Sequence, residues 1–180
     1  MSKVDLGSDF STAKQKVTLM ITLREMRKDE FANYCNYFID DYSHEIVANY
    51  GHAMDVAIEM AKQDLNKSFP NGLEKNAHDL FCIDAKLEGN NSLPTLVGYL
   101  WFSINVDDNS AFIYDFYVYE AFRGQGFGKL AMSALETRLQ SIKITQIKLR
   151  VAYQNKRALK LYQDAGFNIT GINMSKILSM

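Results

Sequence analysis

The chain has 180 residues, 47% hydrophobic and 23% charged, with a formal net charge of −1. That balance is ordinary for one globular domain and speaks against a nucleic-acid binder, which usually shows a basic excess. Two separated cysteines and three histidines without HxxxH or HExxH spacing give neither a disulfide framework nor a metal site, and no apolar run approaches the roughly 18 residues of a membrane span.

Residues 1–15 are polar and read as a flexible N-terminus without the apolar core of a secretory signal, so a cytoplasmic protein is expected. The β-rich stretch 16–24 (KVTLMITLR) predicts a first strand. Residues 28–41 carry Phe31, Tyr34, Cys35, Phe38 and Ile39 at helical spacing. Ser43 is suited to cap a second helix, whose apolar positions include Ile46, Val47, Tyr50, Met54, Ala57, Ile58, Ala61 and Leu65. Pro70, Asn71 and Gly72 end that section as a turn.

The pattern then changes. Stretches 77–87, 95–106 and 111–119 are rich in aromatic and β-branched residues, separated by turn residues at 89–92 and 107–110, and predict an antiparallel meander. A helix follows at 126–142, a strand at 146–151 and a helix at 155–165, with Gly166 placed as its C-terminal cap. Short strands at 167–170 and 172–178 close the chain. The order βααβββαβαββ predicts a single α+β domain over 16–180, with a mixed sheet of about seven strands flanked by about four helices.

Chemistry concentrates in RGQGFGK at 123–129, between a strand and a helix: Arg123, Gly124, Gln125, Gly126, Phe127, Gly128 and Lys129. Alternating glycines let the backbone turn tightly and approach a ligand with no Cβ in the way. The first N–H groups of the helix have no intrahelical partners, and the helix dipole favours an anion there. A phosphate or pyrophosphate is the natural ligand. A P-loop needs GxxxxGK[ST], but Lys129 is followed by Leu130 and the upstream glycine is missing. A dinucleotide fingerprint needs GxGxxG, and here the third glycine comes one residue early, after a meander strand rather than within a βαβ unit.

The spacing does match [QR]-x-x-G-x-[GA], the acetyl-CoA signature of the GNAT family of N-acetyltransferases. The stretch DFYV at 115–118 resembles that family's central strand, and 151–167 resembles its second signature, N-x-x-A-x-x-x-Y-x-x-x-G-F. The chain is therefore similar to a GNAT domain, most specifically over 95–170. The resemblance implies acetyl-CoA as co-substrate and no metal. It implies that Phe116, Tyr117 and Val118 pair with the pantetheine arm, that the loop N–H groups hold the pyrophosphate, and that Asn155 lies near the pantetheine. It implies Tyr162 as the acid that protonates the leaving thiolate. No glutamate stands on the strand before Glu120, so Asp115 or Tyr114, through water, is the expected base.

The acceptor is read from the residues. Asp41 and Glu45, with Tyr37, Tyr42 and Tyr50 nearby, suit a cationic amine. The expected function is attack of a primary amine of a small molecule on acetyl-CoA, since two substantial helices precede the meander and cover that side. The alternatives are a protein or peptide N-acetyltransferase and a non-catalytic acyl-CoA-binding sensor. No nucleic-acid or membrane partner is expected, and the closing strands could pair between chains in a homodimer.

Overall fold

The computed structural model describes residues 19–74, 77–87, 93–174 and 176. Five strands form one sheet in the order of the chain: β1 (Leu19–Glu25), β2 (His78–Leu87), β3 (Thr95–Asn105), β4 (Ser110–Val118) and β5 (Gln146–Leu149). The first four pair antiparallel, and β4 pairs β5 in parallel. Helices α1 (Lys28–Tyr50) and α2 (Met54–Ser68) lie between β1 and β2 in sequence. Helix α3 (Phe127–Ser141) connects β4 to β5, and α4 (Lys156–Asp164) follows β5.

Each face of the sheet is buried by its own helices. On one, Phe81, Ile83, Val97, Leu100, Phe102, Ala111 and Ile113 pack against Phe127, Ala131, Met132, Leu135 and Leu139 of α3 and Tyr162 of α4. On the other, Leu80, Cys82, Tyr99 and Trp101 meet Tyr34 and Phe38 of α1, Leu65 of α2 and Phe69 just beyond it. The alternation of side chains along each strand divides these two sets.

Three expectations are corrected. Among the described residues the sheet has five strands rather than about seven, in the order βααβββαβα. Residues 167–174, assigned above to closing strands, form no strand, and Ile169, Ile172 and Met174 are exposed; the rest of the second segment is largely outside the described residues. Ser43 caps nothing. It lies inside one 23-residue helix α1, 1% exposed, and its Oγ donates to the Asp40 carbonyl at 2.9 Å. The helix ends instead at Gly51, whose φ of 71° places it in the left-handed region that favours glycine. Residues 16–18 of the expected first strand, the segment 1–15 and the turn 89–92 lie outside the described residues.

The start of α1 is pinned to the sheet. Both Arg24 terminal nitrogens donate to Glu30 at 2.9 and 3.0 Å, and Arg24 Nε donates to Asp84 at 2.7 Å. The Arg24 guanidinium holds the Glu30 carboxyl down at about 2. One and two turns later the same helix presents Tyr34 and Tyr37 to the sheet.

Candidate active site

Strand β4 is longer than the strand beside it. Its pairing with β5 covers Ser110 to Ile113 and stops there, while β4 runs on to Val118 paired only with β3. From residue 114 onward the β5 side of β4 is therefore an open edge among the described residues. The Tyr119 N–H donates to the Val97 carbonyl of β3 at 2.8 Å. By the alternation of an antiparallel ladder, Phe116 and Val118 turn their N–H and C=O groups to the open edge. The Val118 carbonyl accepts from Arg123 Nε at 2.7 Å, and the Arg123 guanidinium lies over the Tyr117 ring at 5.1 Å. Arg123 thus ties the loop to the strand end.

The register of β3 on β4 shifts where the edge opens. Trp101 faces Asp115 while Phe102 faces Ile113, so Tyr114 is an extra residue. Below this bulge Ala111 and Ile113 point to the α3 face; above it Phe116 and Val118 do. The bulge places both Tyr114 and Asp115 on the α1 face. Tyr114 stacks on Trp101, with ring centroids 4.9 Å apart, and is 47% exposed. Asp115 accepts one phenol on each oxygen: Tyr34 on Oδ2 and Tyr37 on Oδ1, both at 3.1 Å. Burial pushes the Asp115 carboxyl up to about 7, against the two phenol hydrogen bonds; the charges of Asp41 and Glu45 add to the rise. Sequence reasoning singled out Asp115, and Tyr37 only as an aromatic near the acceptor, but not the grip of Tyr34 and Tyr37 on Asp115, although their spacing puts them on one helix face.

Tyr34, Tyr37, Asp41 and Glu45 recur along that face of α1. Burial raises both the Asp41 and the Glu45 carboxyl, with Arg123 opposing the first and Arg150 the second. At the far end of α1 the Tyr50 hydroxyl accepts from Arg150, just beyond β5. Helix α1 therefore passes over the open edge from β4 to the end of β5.

The loop after β4 has the geometry its composition implies. Gly124 and Gly126 have φ of 76° and 90°, and Gly126 is the N-cap of α3 with no side-chain cap. Among the described residues, the main-chain N–H groups of Gly124, Gln125, Gly126, Phe127, Gly128 and Lys129 have no protein acceptor; the first bond of the helix runs from Leu130 to the Gly126 carbonyl. A Cβ at Gly124 or Gly126 would meet nothing within 4 Å, so these glycines serve backbone conformation and open space. Gly128 differs: its Cβ would lie 3.3 Å from Leu161, so it lets α3 and α4 pack closely. The side chain of Gln125 folds back to the Ala121 carbonyl at 2.9 Å, and Lys129 is exposed.

Asn155 is the N-cap of α4, its Oδ1 accepting from the Ala158 N–H at 3.0 Å. Tyr162 is 9% exposed and packs on the α3 face, 6.5 Å from the Phe116 ring and 5.6 Å from Phe167. Burial raises its phenol, helped by the charge of Asp115, so the hydroxyl keeps its proton at neutral pH. Asp115 and Tyr162 thus flank the open end of β4 from opposite faces of the sheet.

One close approach escaped the sequence reading. A Cβ on Gly98 of β3 would fall 2.0 Å from the Tyr117 carbonyl oxygen. Only glycine lets β3 lie against this part of β4. Among the described residues no group of His, Cys, Asp and Glu could hold a metal ion, and no helix is long and apolar enough to cross a membrane.

Comparison with known proteins gives a consistent family. Residues 36–167 match the acetyltransferase (GNAT) family. The chain is 35% identical over 164 residues to the uncharacterized N-acetyltransferase YycN of Bacillus subtilis, covering 90% of this chain and 100% of that protein. The crystal structure of YycN superposes with a TM-score of 0.79 at 34% identity, covering 89% of this chain and all of that one. The uncharacterized N-acetyltransferase YdgE of the same organism is 28% identical over 89% of this chain and 99% of its own length. A complex of AAC(6')-Iy with the bisubstrate analogue CoA-S-monomethyl-acetylneamine shares the fold, at a TM-score of 0.51 and 15% identity over 89% of this chain and 99% of that one.

Proposed function

The chain belongs to the acetyltransferase (GNAT) family, and from that premise we propose that it moves an acetyl group from acetyl-CoA to a primary amine of a small molecule. The observation that carries the reading is the pairing of two unsatisfied backbone features side by side: the acceptor-less N–H run of residues 124–129 and the open edge of β4. The first suits a pyrophosphate at a helix N-terminus. The second suits an extended amide-bearing arm that adds to the edge as a strand would. CoA, a pyrophosphate joined to an amide-bearing arm, asks for both.

In this reading Gly124, Gln125, Gly126, Phe127, Gly128 and Lys129 hold the pyrophosphate through main-chain N–H groups, with Lys129 adding charge. Phe116 and Val118 supply the edge groups for the pantetheine arm, and Tyr117 supports that edge through its contact with Arg123. The Asn155 amide, whose oxygen is used by the cap, keeps its NH2 for the same arm. The Val118 N–H is the donor for negative charge developing on the thioester oxygen. Tyr162 gives its proton to the departing sulfur. Asp115 removes the proton that keeps the amine cationic, since a base near 7 is half ionised at working pH yet basic enough to act. Tyr114 lines the same face as a ring beside Asp115. Asp41 and Glu45 attract the ammonium group, and Tyr37 and Tyr117, with ring centroids 4.1 Å apart, form an aromatic wall beside them.

A small acceptor is favoured over a peptide because α1 passes over the open edge and meets Arg150 at its far end. AAC(6')-Iy, bound to an acetylneamine analogue of CoA, gives the same fold a small-molecule precedent. The test is thiol release from acetyl-CoA with spermidine, kanamycin, a long-chain alkylamine and a lysine-bearing peptide. Release with one of the three small amines, faster than with the peptide, supports the reading. Release with none, or a peptide that outruns them, overturns it. CoA should also protect the fold against heat where ATP does not, because ligand binding stabilises by RT ln(1 + [L]/Kd).

A further inference from the structure

Asp115 is held in an unusual way for a base that must reach a substrate. Both its oxygens are engaged, each by a different phenol from the same helix. The two phenols are not equivalent. Tyr34 is 0% exposed and packed among Phe38 and Tyr99, so nothing from solvent reaches it. Tyr37 is half-buried and stands one turn further along α1, on the side of Asp41. Its ring lies against Tyr117 at the open edge. The groups facing Asp115 are Tyr34, Tyr37, Asp41 and Glu45 from α1; Tyr162 of α4 feels its charge from the opposite face of the sheet, and on β3 it pairs with Trp101.

We infer that the proton of the acceptor ammonium reaches Asp115 through the Tyr37 hydroxyl, and that Tyr34 is the positioning residue that fixes Asp115 for this relay. The inference rests on the proposed role of Asp115 as base. The transfer balances. An N–H bond of the ammonium breaks as its proton joins the Tyr37 oxygen, and the proton Tyr37 already donates passes to Asp115 Oδ1. Tyr37 ends unchanged, the amine is neutral and Asp115 is protonated. In acetyl transfer the C–N bond forms and the C–S bond breaks, sulfur takes the Tyr162 proton, and the second proton lost by nitrogen returns to Tyr162. Asp115 then returns its proton to water, so one proton is released for each ammonium consumed.

The bulge makes the arrangement possible. With regular alternation through Tyr114 instead of a bulge, Asp115 would share the face of Ile113 and point away from α1. The pinning of α1 at Arg24 and Glu30 sets the height at which its next turns meet that carboxylate.

The test compares wild type with Tyr37→Phe, Tyr34→Phe and Asp115→Asn, using the fastest amine of the panel above. The readouts are kcat/KM from about pH 5.5 to about pH 9.5, and the dependence of the rate on the fraction of heavy water. Each phenol removed takes a hydrogen bond from the Asp115 carboxylate, so the acid limb should move to higher pH in both tyrosine variants. Above the limb, Tyr37→Phe should lose roughly tenfold or more, and more than Tyr34→Phe, which keeps the relay hydroxyl. The curved heavy-water dependence of a two-proton relay should become linear in Tyr37→Phe alone. Retained protection by CoA against heat shows that each variant is folded. A Tyr37→Phe enzyme with the plateau and curvature of Tyr34→Phe overturns the relay. If Asp115→Asn keeps the wild-type acid limb, the base itself is misassigned and the inference falls with it. A limb lost in Asp115→Asn with a full rate in Tyr37→Phe refutes the relay but leaves the base standing.

Discussion

Replacing Asp115 by asparagine should make the protein more stable at alkaline pH while removing its activity. Burial raises the carboxyl from its ordinary 3.8 to about 7. At about 1.4 kcal/mol per pH unit, holding the ionised form in the fold costs on the order of 4 kcal/mol. The sign follows from proton counting. Between about pH 4 and about pH 7 the folded chain keeps the Asp115 proton and the unfolded chain has lost it, so wild-type stability falls as pH rises through this window. Above about 7 both states are ionised and the loss levels off. The asparagine side chain does not titrate, and its amide can still meet both phenols. The stability difference between variant and wild type should therefore be small near the bottom of the window, grow through it, and plateau above it. Urea unfolding at a series of pH values measures that difference, and groups that do not feel the Asp115 charge cancel from it. At a plateau of about 4 kcal/mol the melting temperature of a chain this long should rise by about 10 °C. A difference that stays flat from about pH 4 to about pH 8 would refute the desolvated carboxylate on which the catalytic argument stands.

Other consequences can be measured alongside. Gly126→Ala puts a side chain at φ 90°, a strain of about 1–2 kcal/mol at the N-cap, and should raise the Kd for CoA severalfold in calorimetry with little effect on the amine. Gly98→Ala drives a Cβ into the Tyr117 carbonyl 2.0 Å away; it should cost more than about 2 kcal/mol and weaken CoA binding, read together by thermal unfolding with and without CoA. Tyr162→Phe should bind CoA as wild type does while kcat falls by about a hundredfold, and an unchanged kcat would remove the acid from the mechanism. Asp41→Asn combined with Glu45→Gln should raise KM for a dicationic amine more than for a monocation, and equal effects on both would count against an acidic acceptor site.

The parts of the site legible in the sequence are the ones set by local chain geometry. The glycines at 124 and 126 must adopt positive φ, Asn155 caps its own helix, and the seven residues from Asn155 to Tyr162 follow from helical repeat. Their spacing carries the family signature because the proposed ligand contacts come from backbone. What was not legible depends on pairing between distant segments. Alternation alone puts Tyr114 and Asp115 on opposite faces; the bulge that puts them on one face is a property of the register between β3 and β4. Tyr34 and Tyr37 meet Asp115 across 81 and 78 residues; in sequence Tyr34 looks like a core position of an amphipathic helix and Tyr37 like an aromatic near the acceptor. Gly98 looks like a glycine weakening a strand until β4 is laid beside it. Ser43 has the chemistry of a cap but satisfies its hydroxyl on the preceding turn, so α1 runs through it. Residues 167–174 carry β-branched Ile169, Thr170 and Ile172, but propensity alone does not supply a partner strand, and these residues form none.

The most direct test of the account is a crystal structure of the protein with acetyl-CoA. It should show the pyrophosphate within hydrogen-bond distance of N–H groups among Gly124 to Lys129, and the pantetheine amides paired with Phe116 and Val118. The thioester should lie between the Tyr162 hydroxyl on one face and Tyr37 and Asp115 on the other. Acetyl-CoA bound away from the open edge of β4, for instance in the groove lined by Asn36, His44, Met54 and Lys62 between α1 and α2, would contradict it.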